Sequence, residues 1–221
     1  MDLRTRTTAS FEQILERWEQ RYASQAIEPL VQIARNEKSP DAHRYVAVMG
    51  LARLAGQPAA PVIVPLLKDS SWMVRSGSLQ ALRALGANEW GAQAIALLKD
   101  PALAVRAEAA LTVAKLNPPG AVEALLSAIE DPINYHGGRA QWVPHKALEG
   151  LVTLQAPARV AGRLRKLLDR SQDTLLLEKT VETLEKLRAN RNLDLELVQL
   201  PYRPERPFRD KLAYWKKSLD E

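Results

Sequence analysis

The sequence predicts an all-α protein built as an α-solenoid of about five helical hairpins, and three observations predict it. Arginine recurs at positions 44, 75 and 106, 31 residues apart each time. The segments around it look alike: LLKDSSWMVRSGSLQALRALG runs from Leu66 to Gly86, and LLKDPALAVRAEAALTVAKLN from Leu97 to Asn117. A fixed period of roughly 20–50 residues marks a unit that stacks on copies of itself. Strand-like alternation of apolar and polar residues is nearly absent.

The composition is that of an ordinary soluble chain. Of 221 residues, 46% are hydrophobic and 26% charged, enough to bury a core and too apolar for a disordered segment. No run approaches the roughly 18 apolar residues of a membrane-spanning helix. The opening Met-Asp-Leu-Arg-Thr-Arg lacks the apolar stretch of a secretory signal, so the expected location is cytoplasmic, or periplasmic if a signal has been removed. Without cysteine, disulfides and thiolate metal sites are excluded. A net charge of +5 permits an acidic partner without requiring one.

The elements follow in order. Ser10-Phe11-Glu12-Gln13 reads as a capping box, and Phe11, Ile14, Leu15, Trp18 and Tyr22 then fall at helical spacing. Residues 1–24 are thus expected to form a capping helix. The repeat array occupies 25–189. Its helices are expected over Gln25–Asn36 and Asp41–Ala55, then near 58–68 and 71–85, and near 89–99 and 102–116. The last pairs fall near 120–130 and 142–154, and near 158–169 and 174–189. Asp-Pro, Asn-Pro-Pro and Gly-Gln-Pro punctuate the turns. The second helix of each pair is rich in alanine, which lets helices approach closely, while Leu82, Leu85, Val113 and Leu116 fill the space between layers.

These segments resemble HEAT repeats, specifically the short bacterial kind related to those of phycobilin lyases. The resemblance rests on leucines ending the first helix, on Asp69 and Asp100 in the turns, and on Val74-Arg75 and Val105-Arg106 shortly after. It is specific over about residues 40–117 and weaker over 118–189. It implies that Asp69, Asp100, Arg44, Arg75 and Arg106 form a structural hydrogen-bond ladder through successive repeats. A planar guanidinium suits such a role, since it can bridge carboxylate and backbone acceptors in neighbouring layers. A phosphate-binding reading of the same arginines is the alternative; their apolar neighbours and turn aspartates favour the structural one. The resemblance implies a fold and no single activity.

The pattern breaks once. Asp100 to Asp131 keeps the 31-residue step, but Val105 maps onto Val143, so seven residues have been added to that turn. The insert at 132–142 carries Tyr135, His136, a Gly pair, Arg139 and Trp142, and Pro144 stands where the ladder arginine belongs. Loops on a rigid scaffold often carry recognition. The plainer reading is a longer turn that covers helix ends. Trp72, at a helix start, is an outlying candidate contact.

Arg159, Arg163, Lys166 and Arg170 fall on one helix face, with Asp169 the only acid of that segment. This face is either a solvated surface or an anion-binding one for nucleic acid, acidic protein or lipid. His136 and His145 lack the spacing of an established metal site, and His145 maps onto the packing position of Ala107. The tail, 190–221, is expected to run extended through Pro201, Pro204 and Pro207. It then forms an amphipathic helix through Phe208, Leu212, Trp215 and Leu219, which either caps the array or docks elsewhere.

Phosphate loops, nucleophile elbows and HExxH motifs are absent. None of the three histidines precedes a glutamate, unlike the iron-binding His-Glu pairs of HEAT-repeat hydroxylases. The expectation is a non-enzymatic scaffold, without cofactor or metal, that binds another protein through its concave face and insert. The alternative is nucleic-acid binding through the basic face. Chromophore-lyase or glycosylase chemistry would require a catalytic acid in a concave pocket.

Overall fold

In the computed structural model the described residues are 13–14, 16–17, 23–189 and 207–218, and they contain eleven α-helices. The Ser10 capping box, most of the Phe11–Tyr22 stripe, residues 190–206 and Leu219 lie outside the described residues. Five hairpins follow one another. The first pairs α1 (Ile27–Arg35) with α2 (Asp41–Ala55). In the second, α3 (Ala60–Ile63) lies between two 3-10 turns, Gln57–Ala59 and Val64–Lys68, before α4 (Trp72–Leu85). The third joins α5 (Gly91–Ala96) to α6 (Leu103–Leu116), and the fourth α7 (Ala121–Glu130) to α8 (Trp142–Thr153). The fifth joins α9 (Ala161–Arg170) to α10 (Thr174–Ala189).

The sequence expects one helix over 58–68, whereas the structure divides it. Pro58, Pro61 and Pro65 each lack the N–H that a continuous α-helical ladder needs, so 3-10 turns flank a single α turn. The second helices end in matched caps. Gly86, Asn117 and Gln155 sit at equivalent repeat positions, all with positive φ. At the first of them the Ala87 N–H reaches back to the Leu82 carbonyl, as in a left-handed helix stop.

The second helices stack directly, α2 on α4 on α6 on α8 on α10, while the first helices touch their neighbours sparsely. Close approach in one row and looser spacing in the other places the second helices on the inner side. Small residues permit that approach. A Cβ at Gly77 would lie 2.6 Å from the Tyr45 ring, and one at Gly150 would lie 3.0 Å from the Ala114 Cβ. Val74, Leu79, Val105, Val113, Leu148, Leu151, Val181 and Leu184 fill the space between the rows as one continuous core. No hairpin buries this face alone.

A final helix, α11 (Phe208–Ser218), packs on α9 and α10. Trp215 is fully buried there, edge-on to the Tyr214 ring at 5.3 Å. Arg188 Nη1 donates to the Tyr214 hydroxyl at 3.0 Å, and Lys211 pairs with Glu185 at 2.9 Å. The apolar face of the fifth hairpin is covered in this way.

Candidate partner-binding edge

The turns between first and second helices all lie along one edge, and a buried ladder fastens them. The second helix of each of the first three hairpins sends an arginine into the next turn. Arg44 forms a two-pronged ion pair with Asp69, and its Nε donates to the Ala34 carbonyl at 3.0 Å. Arg75 Nε and Nη2 donate to the Asp100 carboxylate at 2.7 and 2.8 Å, which raises the Arg75 pKa above its ordinary value. Its Nη1 donates to the carbonyls of Asp69 and Ser70. The same aspartates hold their own turns, accepting the N–H groups of Ser71 and Ala102.

At the fourth hairpin the chemistry changes. Asp131 keeps the turn bond, accepting from the Ile133 N–H, but Asn134 of the insert meets Arg106. Arg106 Nε donates to Asn134 Oδ1 at 2.7 Å, Nη2 to the Ile133 carbonyl, and Nη1 to the carbonyls of Asp100 and Pro101. The Asn134 amide also donates to the Ala128 carbonyl at 2.9 Å. Asn134 thus accepts from one partner and donates to another, which an ionised carboxylate, an acceptor only, could not do.

The insert is not a bare turn. Tyr135–His136 and Arg139–Ala140 form a two-stranded antiparallel ribbon, closed by Gly137 and Gly138 at positive φ. Where Pro144 removes the ladder arginine, the ribbon supplies the missing donor: the Ala140 N–H bonds Asp173 at 2.8 Å. Asp173 in turn accepts from the N–H groups of Leu175 and Leu176, opening α10. The insert therefore carries the ladder from the third hairpin to the fifth. Sequence reasoning missed Asn134, Ala140 and Asp173. The signal was available in the polar residue three positions beyond Asp131 and the next turn aspartate at 173.

Of the sequence-predicted contact residues, Tyr135 is half-buried. Its hydroxyl donates to the Ile129 carbonyl at 2.5 Å, and burial pushes its pKa up to about 12. It anchors the ribbon. His136 and Arg139 are exposed at the ribbon tip. Trp142 is 61% exposed and Trp72 48%, each at the start of a second helix. Two further apolar side chains join them: Leu175, 56% exposed at the start of α10, and Ile133, 47% exposed in the insert. Together they are all the exposed large hydrophobics among the described residues, and all four lie on the ladder edge. Stacked helices stand about 8–10 Å apart, so the row spans about 30 Å from Trp72 to Leu175.

The inner face is different. Tyr45 donates to Gln80, Arg83 pairs with Glu108 at 2.8 Å, and Lys179 and Lys186 both pair with Glu182. Burial raises the Glu108 pKa, and the two lysines lower that of Glu182. Shallow depressions of about 450 and 230 Å3 lie between successive second helices.

The basic face is partly neutralised, by acids the sequence reading did not pick out. Glu130 and Glu123 of α7 hold Arg163, at 2.5 and 2.9 Å, and Glu123 also lies 3.7 Å from Arg159. Lys166 and Arg170 stay exposed. His145 is half-buried with its pKa pushed down by desolvation, and its Nδ1 has no hydrogen-bond partner among the described residues. No cluster of three metal-ligating side chains occurs among them, and none of their helices is long and apolar enough to cross a membrane.

Paired helices, a stacked inner row and a buried Asp/Arg ladder define the class, an α-solenoid. More particularly, residues 27–95, which span the first two hairpins and the start of the third, match the family model for HEAT repeats. No curated protein matches the chain. Among solved structures, an engineered protein is similar at 17% identity and a TM-score of 0.49, covering 87% of this chain and 96% of its own. The complex of CpcE and CpcF of phycocyanin lyase from Nostoc sp. PCC7120 is similar at 14% identity and a TM-score of 0.36, covering 98% of this chain and 91% of that one. Neither likeness is close enough to carry an argument about activity or partners.

Proposed function

We infer that this chain is a non-enzymatic scaffold that binds another protein along the ladder edge and the adjoining inner face. The observation that carries the reading is the row of Trp72, Ile133, Trp142 and Leu175. Apolar side chains this exposed, gathered on one edge and set in a ladder of ion pairs and hydrogen bonds, form a preorganised contact surface. Aromatic anchors lose little side-chain freedom on binding and often dominate interface energy. His136 and Arg139 supply polar contacts at the rim, and Tyr135 holds the ribbon that presents them.

Deleting the insert is a poor test, because Asn134 and Ala140 belong to the ladder. The double substitution Trp72→Ser and Trp142→Ser removes the two aromatic side chains of the row and leaves every ladder hydrogen bond in place. Affinity capture from the source cells' lysate, at low and high salt and after nuclease treatment, compares it with the wild type. A protein retained by the wild type at high salt and lost by the double variant supports the reading. Retention that disappears with salt or nuclease transfers the function to the basic face.

A further inference from the structure

A cavity of about 640 Å3 opens on the outer row, between α7 and α9, with the ribbon at one end. That volume lies within the roughly 300–1,000 Å3 of small-molecule sites. Its floor is apolar: Leu126 and Ile129 come from α7, Leu164 and Leu167 from α9. Tyr135 and Gly138 close the ribbon end. The rim is cationic. Arg163, Lys166 and Arg170 line it against a single carboxylate, Glu130.

The three cations are not equivalent. Arg163 is spent, with Nε and Nη2 on Glu130 at 2.8 and 2.5 Å and Nη1 on Glu123 at 2.9 Å. Lys166 and Arg170 have no hydrogen-bond or ion-pair partner among the described residues. They stand four residues apart on α9, so their side chains share one face about 6 Å apart. Both also help hold the Glu130 pKa below its ordinary value, after Arg163 itself, so their field reaches the cavity wall.

An apolar floor beside two uncompensated cations selects among ligands. A neutral apolar molecule would leave both charges without a counterion. A small hydrated anion would leave the floor unused. A nucleic-acid backbone needs a longer line of free cations than one helical turn offers. We propose that this cavity binds a small amphipathic carboxylate, its head between Lys166 and Arg170 and its apolar body over Leu126, Ile129, Leu164 and Leu167. The planar guanidinium of Arg170 matches a carboxylate in two-pronged geometry, and Lys166 adds a point charge. The site is on the outer row and meets the ladder edge only at Tyr135 and Gly138; Lys166 and Arg170 have no part in the protein-binding row, so failure of this proposal leaves that reading untouched.

The test uses the full chain and the fluorescent anion 8-anilinonaphthalene-1-sulfonate as reporter, displaced by dodecanoate, 1-decanol or acetate. Circular dichroism and thermal melting confirm the fold of each variant. The expected result is saturable 1:1 binding, with dodecanoate displacing the reporter at least tenfold more effectively than decanol or acetate. Lys166→Glu with Arg170→Glu should weaken dodecanoate at least tenfold. Lys68→Glu with Lys99→Glu makes the same change in net charge elsewhere and should leave it within threefold. The proposal is overturned if binding is unsaturable, if decanol competes as well as dodecanoate, or if the two double variants behave alike.

Discussion

Asp100→Ala removes the central rung of the ladder, and the structure sets the size of the effect. The carboxylate side chain is 4% exposed and accepts three hydrogen bonds, from Arg75 Nε, Arg75 Nη2 and the Ala102 N–H. Breaking a buried pair by removing one partner costs about 3–5 kcal/mol, mostly because the other charge is left uncompensated. Arg75 keeps two carbonyl acceptors on Nη1 and is 11% exposed, so some of its charge is relieved. The expected loss is therefore near the lower end, about 3 kcal/mol. For a chain of this size that lowers the melting temperature by about 6–12 °C. Urea unfolding followed by helical ellipticity measures it directly, with the midpoint falling at an unchanged slope. Asp100→Leu combined with Arg75→Met should recover most of the loss, because it removes both charges together. A cost below about 1 kcal/mol for Asp100→Ala, or no recovery in the double variant, would refute the claim that this rung is a buried, coupled pair.

Other outcomes follow from the same geometry. Gly150→Ala should destabilise by about 1–2 kcal/mol despite better helix propensity, since its Cβ would meet Leu125 at 2.8 Å and Ala114 at 3.0 Å. Gly162→Ala, in a helix with open space around it, should stabilise by about 0.5–1 kcal/mol in the same denaturation assay. Trp215→Ala should cost about 3–5 kcal/mol of local packing and release α11, read as rapid proteolysis at Arg209, Lys216 or Lys217 while the ladder helices stay protected. Arg163 depresses the Glu130 pKa, so the pair's contribution is fully present above the ordinary glutamate value of 4.5 and is lost as pH falls through the depressed one. Across that window the wild type should lose more stability than Glu130→Gln; parallel acid titrations would contradict the assignment.

The array was legible because its physics is local and periodic. Helix starts expected at 71 and 102 fall at Trp72 and Leu103, and the expected span 174–189 is the span of α10. The repeat of Arg44, Arg75 and Arg106 marked the ladder, whose acceptors follow from stacking one layer on the next. What stayed hidden depends on contacts between distant positions. Asn134 stands out locally only as a polar residue three beyond Asp131, and its dual role comes from Arg106 on one side and Ala128 on the other. The ribbon was hidden because its two strands have two residues each, too short for an alternating pattern. The neutralisation of Arg163 was hidden because Glu123 and Glu130 lie 40 and 33 residues away. For the edge, Trp72 and Trp142 were visible as helix-start aromatics. Ile133 and Leu175 gain their meaning only once stacking aligns the helix starts.

The central claim is that a protein partner lies along the ladder edge, and site-specific photocrosslinking tests it most directly. A photoreactive phenylalanine placed at Trp72 or Trp142 on the edge is compared with one at Ala92, exposed on the outer row, in the source cells' lysate. The account predicts one discrete crosslinked protein from positions 72 and 142, insensitive to nuclease, and none from 92. Equal crosslinking from all three positions, or from position 92 alone, would contradict it.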